Sequence, residues 1–313
     1  MKPTFHILGN PPVHWQEALA ELRDDLGIAI GSGGIAVTCI HGDELAVESD
    51  GKTVTVTWAA PIQFYRAMSL IPIPLTQCSI HEKARFQSSG IMFDCSRNAV
   101  LNPTALRFFF RKMALMGLNL GMMYTEDTYE VPGEPFFGYK RGRYTYDELK
   151  ALDDYADLFG IELCPCIQTL GHLKRILHWP AYHRLRDNDE VLLADLDETY
   201  VLLDKMIRAA TAPYRSKKIH LGMDEAFGVG LGAHLTRFGY EDPHSVIGRH
   251  LSRVLGICDK YGLHAMMWSD MYFHLDGPRS ALRQGQGCRR SPHHPDVLGL
   301  LPEPGGKVHR RAV

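Results

Sequence analysis

Three times in this chain an apolar, helix-like run ends on a glycine that is followed at once by another apolar residue: Met116-Gly117-Leu118, Phe159-Gly160-Ile161 and Tyr261-Gly262-Leu263. Glycine adopts the left-handed conformation that stops an α-helix, and the apolar residue after it enters a strand. Three copies of one helix-to-strand junction predict a repeated strand–helix architecture. The candidate strands are Ile91–Cys95, Leu118–Tyr124, Ile161–Ile167, Ile219–Met223 and His264–Trp268. They are apolar throughout, the pattern of parallel strands buried on both faces. The helices between them have marked starts. Asn102-Pro103 and Asp242-Pro243 each place a capping side chain before a first-turn proline, and Thr145 with Glu148 forms a capping box. Doubly wound sheets and (β/α)8 barrels both fit. No dinucleotide fingerprint follows the first strand, and strand spacings of roughly 30–55 residues suit a barrel with extended loops.

Residues 1–85 read as a separate small α/β domain. Trp15–Leu26 has helical apolar spacing, Leu45–Ser49 and Thr53–Trp58 flank the hairpin turn Asp50-Gly51, and Pro61 opens a helix that ends before Pro72. Gly31-Ser32-Gly33-Gly34 is read as a plain turn, since no Gly-Lys-Ser/Thr follows it. Residues 86–276 then form the barrel. Residues 277–313 stand apart: they hold seven Lys/Arg against two Asp/Glu, with six Gly, five Pro and no Phe, Trp or Tyr. An atypical, poorly ordered tail is expected there. The whole chain carries a net charge of only −2, which gives no electrostatic case for nucleic acid or anionic membrane as a partner. No apolar run approaches the ~18 residues of a membrane span. The start, Met1–His6, lacks the apolar core of a secretory signal, and the seven scattered cysteines read as reduced thiols. A cytoplasmic location is the expectation.

Barrel chemistry sits at the C-terminal ends of strands. Here all five apolar runs pass directly into polar residues: Asp94-Cys95-Ser96-Arg97, Tyr124-Thr125-Glu126-Asp127, Gln168-Thr169-Leu170-Gly171-His172, Asp224-Glu225 and Trp268-Ser269-Asp270. They are expected to converge on one pocket. Asp224-Glu225 is the sharpest pair. At a strand's lip the chain turns, so both carboxylates can approach one ligand at unequal depth. The more apolar one keeps its proton and acts as acid, while the other stays charged, a division that suits glycoside cleavage. The bland alternative is a solvated charge pair at a helix start. His172 is a catalytic base, a sugar hydrogen-bonder or a link between strand lips. Trp268 is core or an apolar platform for a sugar face, and Tyr124 and Tyr129 carry the same ambiguity. Asp195, Asp197, Glu198 and Asp204 read as the solvated face of one long helix. No metal is expected. Cys164-Pro165-Cys166 leaves one residue between thiols, and His178 and His183, five apart, do not share a helix face.

These motifs together resemble glycoside hydrolase family 20, the β-N-acetylhexosaminidases. His220-Leu221-Gly222-Met223-Asp224-Glu225-Ala226 is similar to the family signature, and Gly90–Arg97 to its first barrel strand. Tyr124–Glu130, with Phe137-Gly138-Tyr139 and Arg141–Tyr144, resembles the second strand and its loop. Gln168–His172 and Trp268–Asp270 resemble the third and fifth, and residues 1–85 resemble the small domain that often precedes the barrel.

The resemblance implies a cofactor-free, exo-acting retaining enzyme in which the sugar's own 2-acetamido oxygen attacks the anomeric carbon. Glu225 would protonate the leaving oxygen and then activate water. Asp224 would hold the acetamido N–H and stabilise developing positive charge. Trp268 would wall the acetamido pocket, and Asp94, Arg97 and His172 would organise the inner lip. Tyr124, Glu126 and Asp270 complete the expected substrate-binding set, and the partner implied is a glycan or amino-sugar glycoside. Two departures stand out. Ser89 occupies the place where many members carry a sugar-clamping Arg, with Arg85 four residues earlier. Five strands are clear before residue 276, where the family barrel has eight, and only Val297–Leu301 offers a sixth. The expectation is therefore an incomplete (β/α)8 barrel, truncated or frameshifted, with open edges to which a second copy could pair. The rival readings are a non-catalytic remnant of such an enzyme and a metal-dependent barrel hydrolase.

Overall fold

A computed structural model of the chain describes residues 2–271. The atypical residues 277–313, and the strand-like run Val297–Leu301 within them, lie outside the described residues. The chain divides into two compact units: one runs to Cys166 and takes in Ala209–Lys217, the other comprises Ile167–Arg208 and the residues from Lys218 on. Among the described residues, no helix is long and apolar enough to cross a membrane.

The first unit opens with β1 (Thr4–Gly9), α1 (Trp15–Leu26), β2 (Ala29–Ile30), β3 (Ile35–His41), β4 (Leu45–Asp50), β5 (Val54–Trp58), α2 (Pro61–Leu70) and β6 (Gln77–Glu82). The six strands form one mixed sheet in the order β2-β1-β3-β5-β4-β6. The β4–β5 hairpin turns at Asp50, whose carboxylate accepts the backbone N–H groups of Lys52 and Thr53 at 2.8 and 2.7 Å. Alternate residues of the hairpin (Leu45, Val47, Val54, Val56 and Trp58) are buried, as period-2 patterning requires. Phe64, Tyr65, Ala67 and Met68 of α2 and Ala18, Leu19 and Leu22 of α1 supply the helical share of the core.

The same unit continues with β7 (Gly90–Asp94), α3 (Pro103–Met116), β8 (Leu120–Tyr124), α4 (Tyr146–Asp157) and β9 (Glu162–Cys166). β7, β8 and β9 are parallel neighbours, with Asp94 opposite Tyr124 and Tyr124 opposite Cys166. The caps follow the sequence. Asn102 accepts the Ala105 N–H at 2.9 Å, Thr145 and Glu148 satisfy each other's backbone, and Gly117 and Gly160 take left-handed φ of 75° and 72°. One expectation fails: β7 is not buried on both faces. Gly90, Met92 and Asp94, which share one face of the strand, are exposed.

The second unit holds α5 (Lys174–Leu177), β10 (Lys218–His220), α7 (Ala233–Phe238), α8 (Pro243–Lys260), β11 (His264–Met266) and the start of α6 (Asp197–Thr211). β10 and β11 are parallel. Both are three residues long, shorter than the apolar runs that announced them, because the backbone leaves strand geometry at Gly222 and after Met266. Asp242 caps α8 through the Ser245 N–H at 3.0 Å. Leu170, Val191, Ala194, Met223, Ala226, Val229, Val246, Ile247 and Met271 form the core of this unit.

Asp195 corrects a second expectation. It precedes α6 with a left-handed φ of 64° and is paired rather than free in solvent: Arg249 lies 2.7 Å from its carboxylate and His234 Nε2 3.1 Å. Asp204 is likewise engaged, accepting from Lys260 and the Tyr261 hydroxyl at 2.7 and 3.0 Å. The helical charge pattern shows only where side chains emerge. These partners arrive from α7, α8 and the loop after α8, 39 to 57 residues away in sequence.

Candidate active site

The short strand β10 ends in a backbone that few sequences tolerate. Gly222, Met223 and Glu225 have φ of 70°, 70° and 48°, and the last two are not glycines. Strain of this kind costs about 1–3 kcal/mol per residue and persists only where the surroundings over-determine it. Here Met223 and Ala226 are buried in the core of the unit. Leu221 N–H donates to Met266 O at 2.8 Å, Trp268 N–H to Gly222 O at 3.0 Å and Thr169 Oγ1 to Leu221 O at 2.8 Å. Between the two anchored residues, Asp224 and Glu225 project outward. A side chain at Gly222 would force a shift, since a Cβ there would lie 2.2 Å from Gln168 Oε1.

The two carboxylates meet at His172, itself left-handed with φ 55°. Its Nε2 lies 3.2 Å from Asp224 Oδ2 and 3.4 Å from Glu225 Oε2. Gln168 Nε2 donates to the other Asp224 oxygen at 2.7 Å, and Gln168 Oε1 accepts the Met223 N–H at 3.1 Å. Asp270 Oδ2 accepts the Glu225 backbone N–H at 3.0 Å. His220, buried under the lip, packs at a tilt against Trp268 with ring centroids 4.6 Å apart and accepts the Gly222 N–H on Nδ1 at 3.1 Å. Burial pulls the His220 pKa down to about 4, against the opposing pull of Asp224. It is therefore neutral at neutral pH, with its remaining proton on Nε2.

The carboxylates do sit at unequal depth, in a sense opposite to the simple expectation. The Asp224 side chain is 23% exposed and that of Glu225 59%. Burial of Asp224 opposes ionisation, but the hydrogen bonds from His172 and Gln168 and the charge of His172 outweigh it and hold the carboxyl below its ordinary range. Asp224 is thus held ionised despite its depth, because its donors outweigh burial.

The first unit gathers a second set of the expected residues at the ends of β7 and β8. Asp94 accepts from the Ser96 N–H and hydroxyl at 3.0 and 2.7 Å and from Arg97 at 3.1 Å. Burial raises the Asp94 pKa, and these donors together more than reverse that, leaving it lowered. The Arg97 guanidinium lies 5.3 Å from the Tyr124 ring centroid and 4.0 Å from Glu126, which accepts the Tyr124 hydroxyl at 3.2 Å. Tyr129 is core, buried against Phe137. The expected residues therefore assemble as two groups: Asp94, Arg97, Tyr124 and Glu126 in one unit, and His172, Asp224, Glu225, Trp268 and Asp270 in the other.

Two contributors escaped selection from the sequence. Gln168 carried the common signal of a polar residue directly after a strand but was not singled out as a site residue. His220 stood only as the first residue of the signature-like segment, since its role depends on Trp268, 48 positions later. Among the described residues one cluster has metal-ligand composition, Asp195, His234 and Glu241. The Arg249 guanidinium lies between its two carboxylates, at 2.7 and 2.8 Å, and supplies the positive charge there.

Parallel β/α units with paired carboxylates at a strand lip define the class: an α/β protein with an incomplete (β/α)8 barrel, five strands of which lie among the described residues, preceded by a small α/β domain. No family model matches the chain. Among curated proteins, β-hexosaminidase 3 of Arabidopsis thaliana is 26% identical over 181 residues, 54% of this chain and 33% of that protein. The glycoside hydrolase family 20 exo-β-N-acetylglucosaminidase of Vibrio harveyi, solved with N-acetylglucosamine, aligns with TM-score 0.72 and 18% identity over 88% of this chain and 53% of its own. The N-acetyl-β-hexosaminidase of Streptomyces plicatus aligns with TM-score 0.69 and 19% identity over 85% of this chain and 61% of its own. The chain is thus similar in sequence to a β-hexosaminidase and shares the fold of these family 20 enzymes. It spans about a third of the curated relative and little more than half of these solved structures.

Proposed function

We propose that this chain is an exo-acting β-N-acetylhexosaminidase that removes terminal N-acetylglucosamine or N-acetylgalactosamine with retention of configuration. The observation that carries the reading is the lip of β10. An ionised, hydrogen-bonded Asp224 and a solvent-facing Glu225 share one histidine there, in a fold whose solved relatives include an exo-β-N-acetylglucosaminidase. In this reading residues 1–85 are a leading domain, residues 86–276 carry the chemistry, and no cofactor takes part. A cytoplasmic location belongs to the same reading.

The chemistry follows from the two environments. Glu225, accessible to solvent, donates a proton to the glycosidic oxygen as that bond breaks. The substrate's acetamido oxygen attacks the anomeric carbon and forms a cyclic oxazolinium-like intermediate. Asp224, held charged, accepts the acetamido N–H and balances the positive charge that spreads over the ring. Glu225 then takes a proton from the water that opens the intermediate. Trp268, 39% exposed over His220, offers an apolar wall to the acetamido methyl group.

The test is a comparison of 4-nitrophenyl N-acetyl-β-glucosaminide with 4-nitrophenyl β-glucoside, which lacks the internal nucleophile. The proposal expects release of nitrophenol from the first and none above background from the second. Equal rates would exclude participation of the acetamido group.

A further inference from the structure

Gln168 is fully buried and makes two contacts that leave its amide only one orientation. Its Oε1 faces the Met223 backbone N–H at 3.1 Å and must accept, so Nε2 must be the donor to Asp224 Oδ1 at 2.7 Å. The missing side chain of Gly222 is what admits the amide, since a Cβ there would fall 2.2 Å from Oε1. The Met223 N–H is presented by a left-handed residue, φ 70°, inside the strained segment that carries both carboxylates. One neutral side chain thus grips the backbone before Asp224 and the carboxylate itself. His172 Nε2 lies 3.2 Å from the other Asp224 oxygen, so the two oxygens are held from two sides.

We propose that Gln168 is a positioning residue that fixes the Asp224 carboxylate in one orientation and, being an amide that neither takes up nor releases protons, keeps it from sharing a proton with a neighbour. A carboxylate in this buried place would contribute a second acid 2.7 Å from Asp224, and the pair would hold one proton between them as like charges at that distance do. The amide prevents this, so Asp224 stays charged over the range in which Glu225 must cycle between acid and base. The inference deepens the proposed hydrolysis and rests on it for its kinetic readout.

The experiment compares the full chain with Gln168→Glu and Gln168→Met, the second of similar length but without the donor. Circular dichroism and thermal melting establish that each variant is folded. In Gln168→Glu the acidic limb of kcat/KM against pH should move up by about one pH unit or more. In Gln168→Met kcat should fall about tenfold or more with a smaller change in KM, since the lost orientation is felt where charge develops. The same variants are titrated by carboxyl 13C NMR of 13C-aspartate-labelled protein, with the Asp224 signal assigned from Asp224→Asn. The Asp224 midpoint should rise in both. An acidic limb and an Asp224 midpoint that stay at the wild-type pH would overturn the proposal. If the wild-type chain cleaves no glycoside, the proposed function fails on its own, and the NMR titration still decides whether Gln168 keeps Asp224 charged.

Discussion

Mild acid should destabilise this fold through a histidine that takes no part in the chemistry. His250 lies on α8, is fully buried, and ties the segment carrying Gln168 and His172 to the rest of its unit. Its Nε2–H donates to Thr169 O at 2.9 Å, and its Nδ1 accepts from the Tyr200 hydroxyl at 3.1 Å. Burial, reinforced by Arg253 and opposed by Thr169 O and Asp195, brings its pKa down from 6.5 to about 4. Between those values the unfolded chain binds a proton that the folded chain does not, so stability falls as pH falls, starting at the unfolded pKa. From pH 7 to pH 5 the loss amounts to about 2 kcal/mol for this one group. The assay is urea unfolding at both pH values for the wild type and for His250→Gln, whose side chain can hydrogen-bond but cannot titrate. His220 shifts in the same direction but is present in both proteins, so it cancels in the comparison. The wild type should lose about 2 kcal/mol more than the variant. Parallel losses would refute the argument that His250 is held neutral.

Three further outcomes are expected. Asp224→Ala should lower kcat by about 10²–10³ while the melting curve stays close to wild type, since a preorganised charge acts on the transition state more than on folding; unchanged turnover would remove Asp224 from the mechanism. Gly222→Ala should cost about 2–4 kcal/mol in urea unfolding, from a left-handed φ of 70° and a Cβ 2.2 Å from Gln168 Oε1; a loss under about 0.5 kcal/mol would show that the segment relaxes freely. Trp268→Ala should weaken binding of N-acetylglucosamine by about 1–2 kcal/mol in calorimetry, and an unchanged affinity would place the acetamido wall elsewhere.

Much of this fold was legible because its signals are local. The glycine after a helix end, the Asn-Pro and Asp-Pro starts and the Thr145–Glu148 box each act within four residues, and each is found where the sequence put it. The Asp224-Glu225 pair was legible for a related reason, since a polar pair directly after an apolar strand must lie at its lip. What escaped was decided by distant partners. Asp195 reads as a solvated helix charge until Arg249 and His234 arrive beside it. His220 gains its role only under Trp268. The ionisation of Asp224 could not be read from its depth, because the donors from His172 and Gln168 reverse the effect of burial. The exposed face of β7 depends on what packs over the sheet, which its apolar composition does not announce.

The most direct test of the account is the initial rate of nitrophenol release from 4-nitrophenyl N-acetyl-β-glucosaminide by the purified chain and by its Glu225→Gln variant. General acid–base catalysis by one carboxyl contributes about 10²–10⁴ in rate. The account predicts steady release by the wild-type chain and a fall of at least about 10² in the variant, with both proteins folded. Absence of release by a folded wild-type chain, or equal rates in the two proteins, would contradict it.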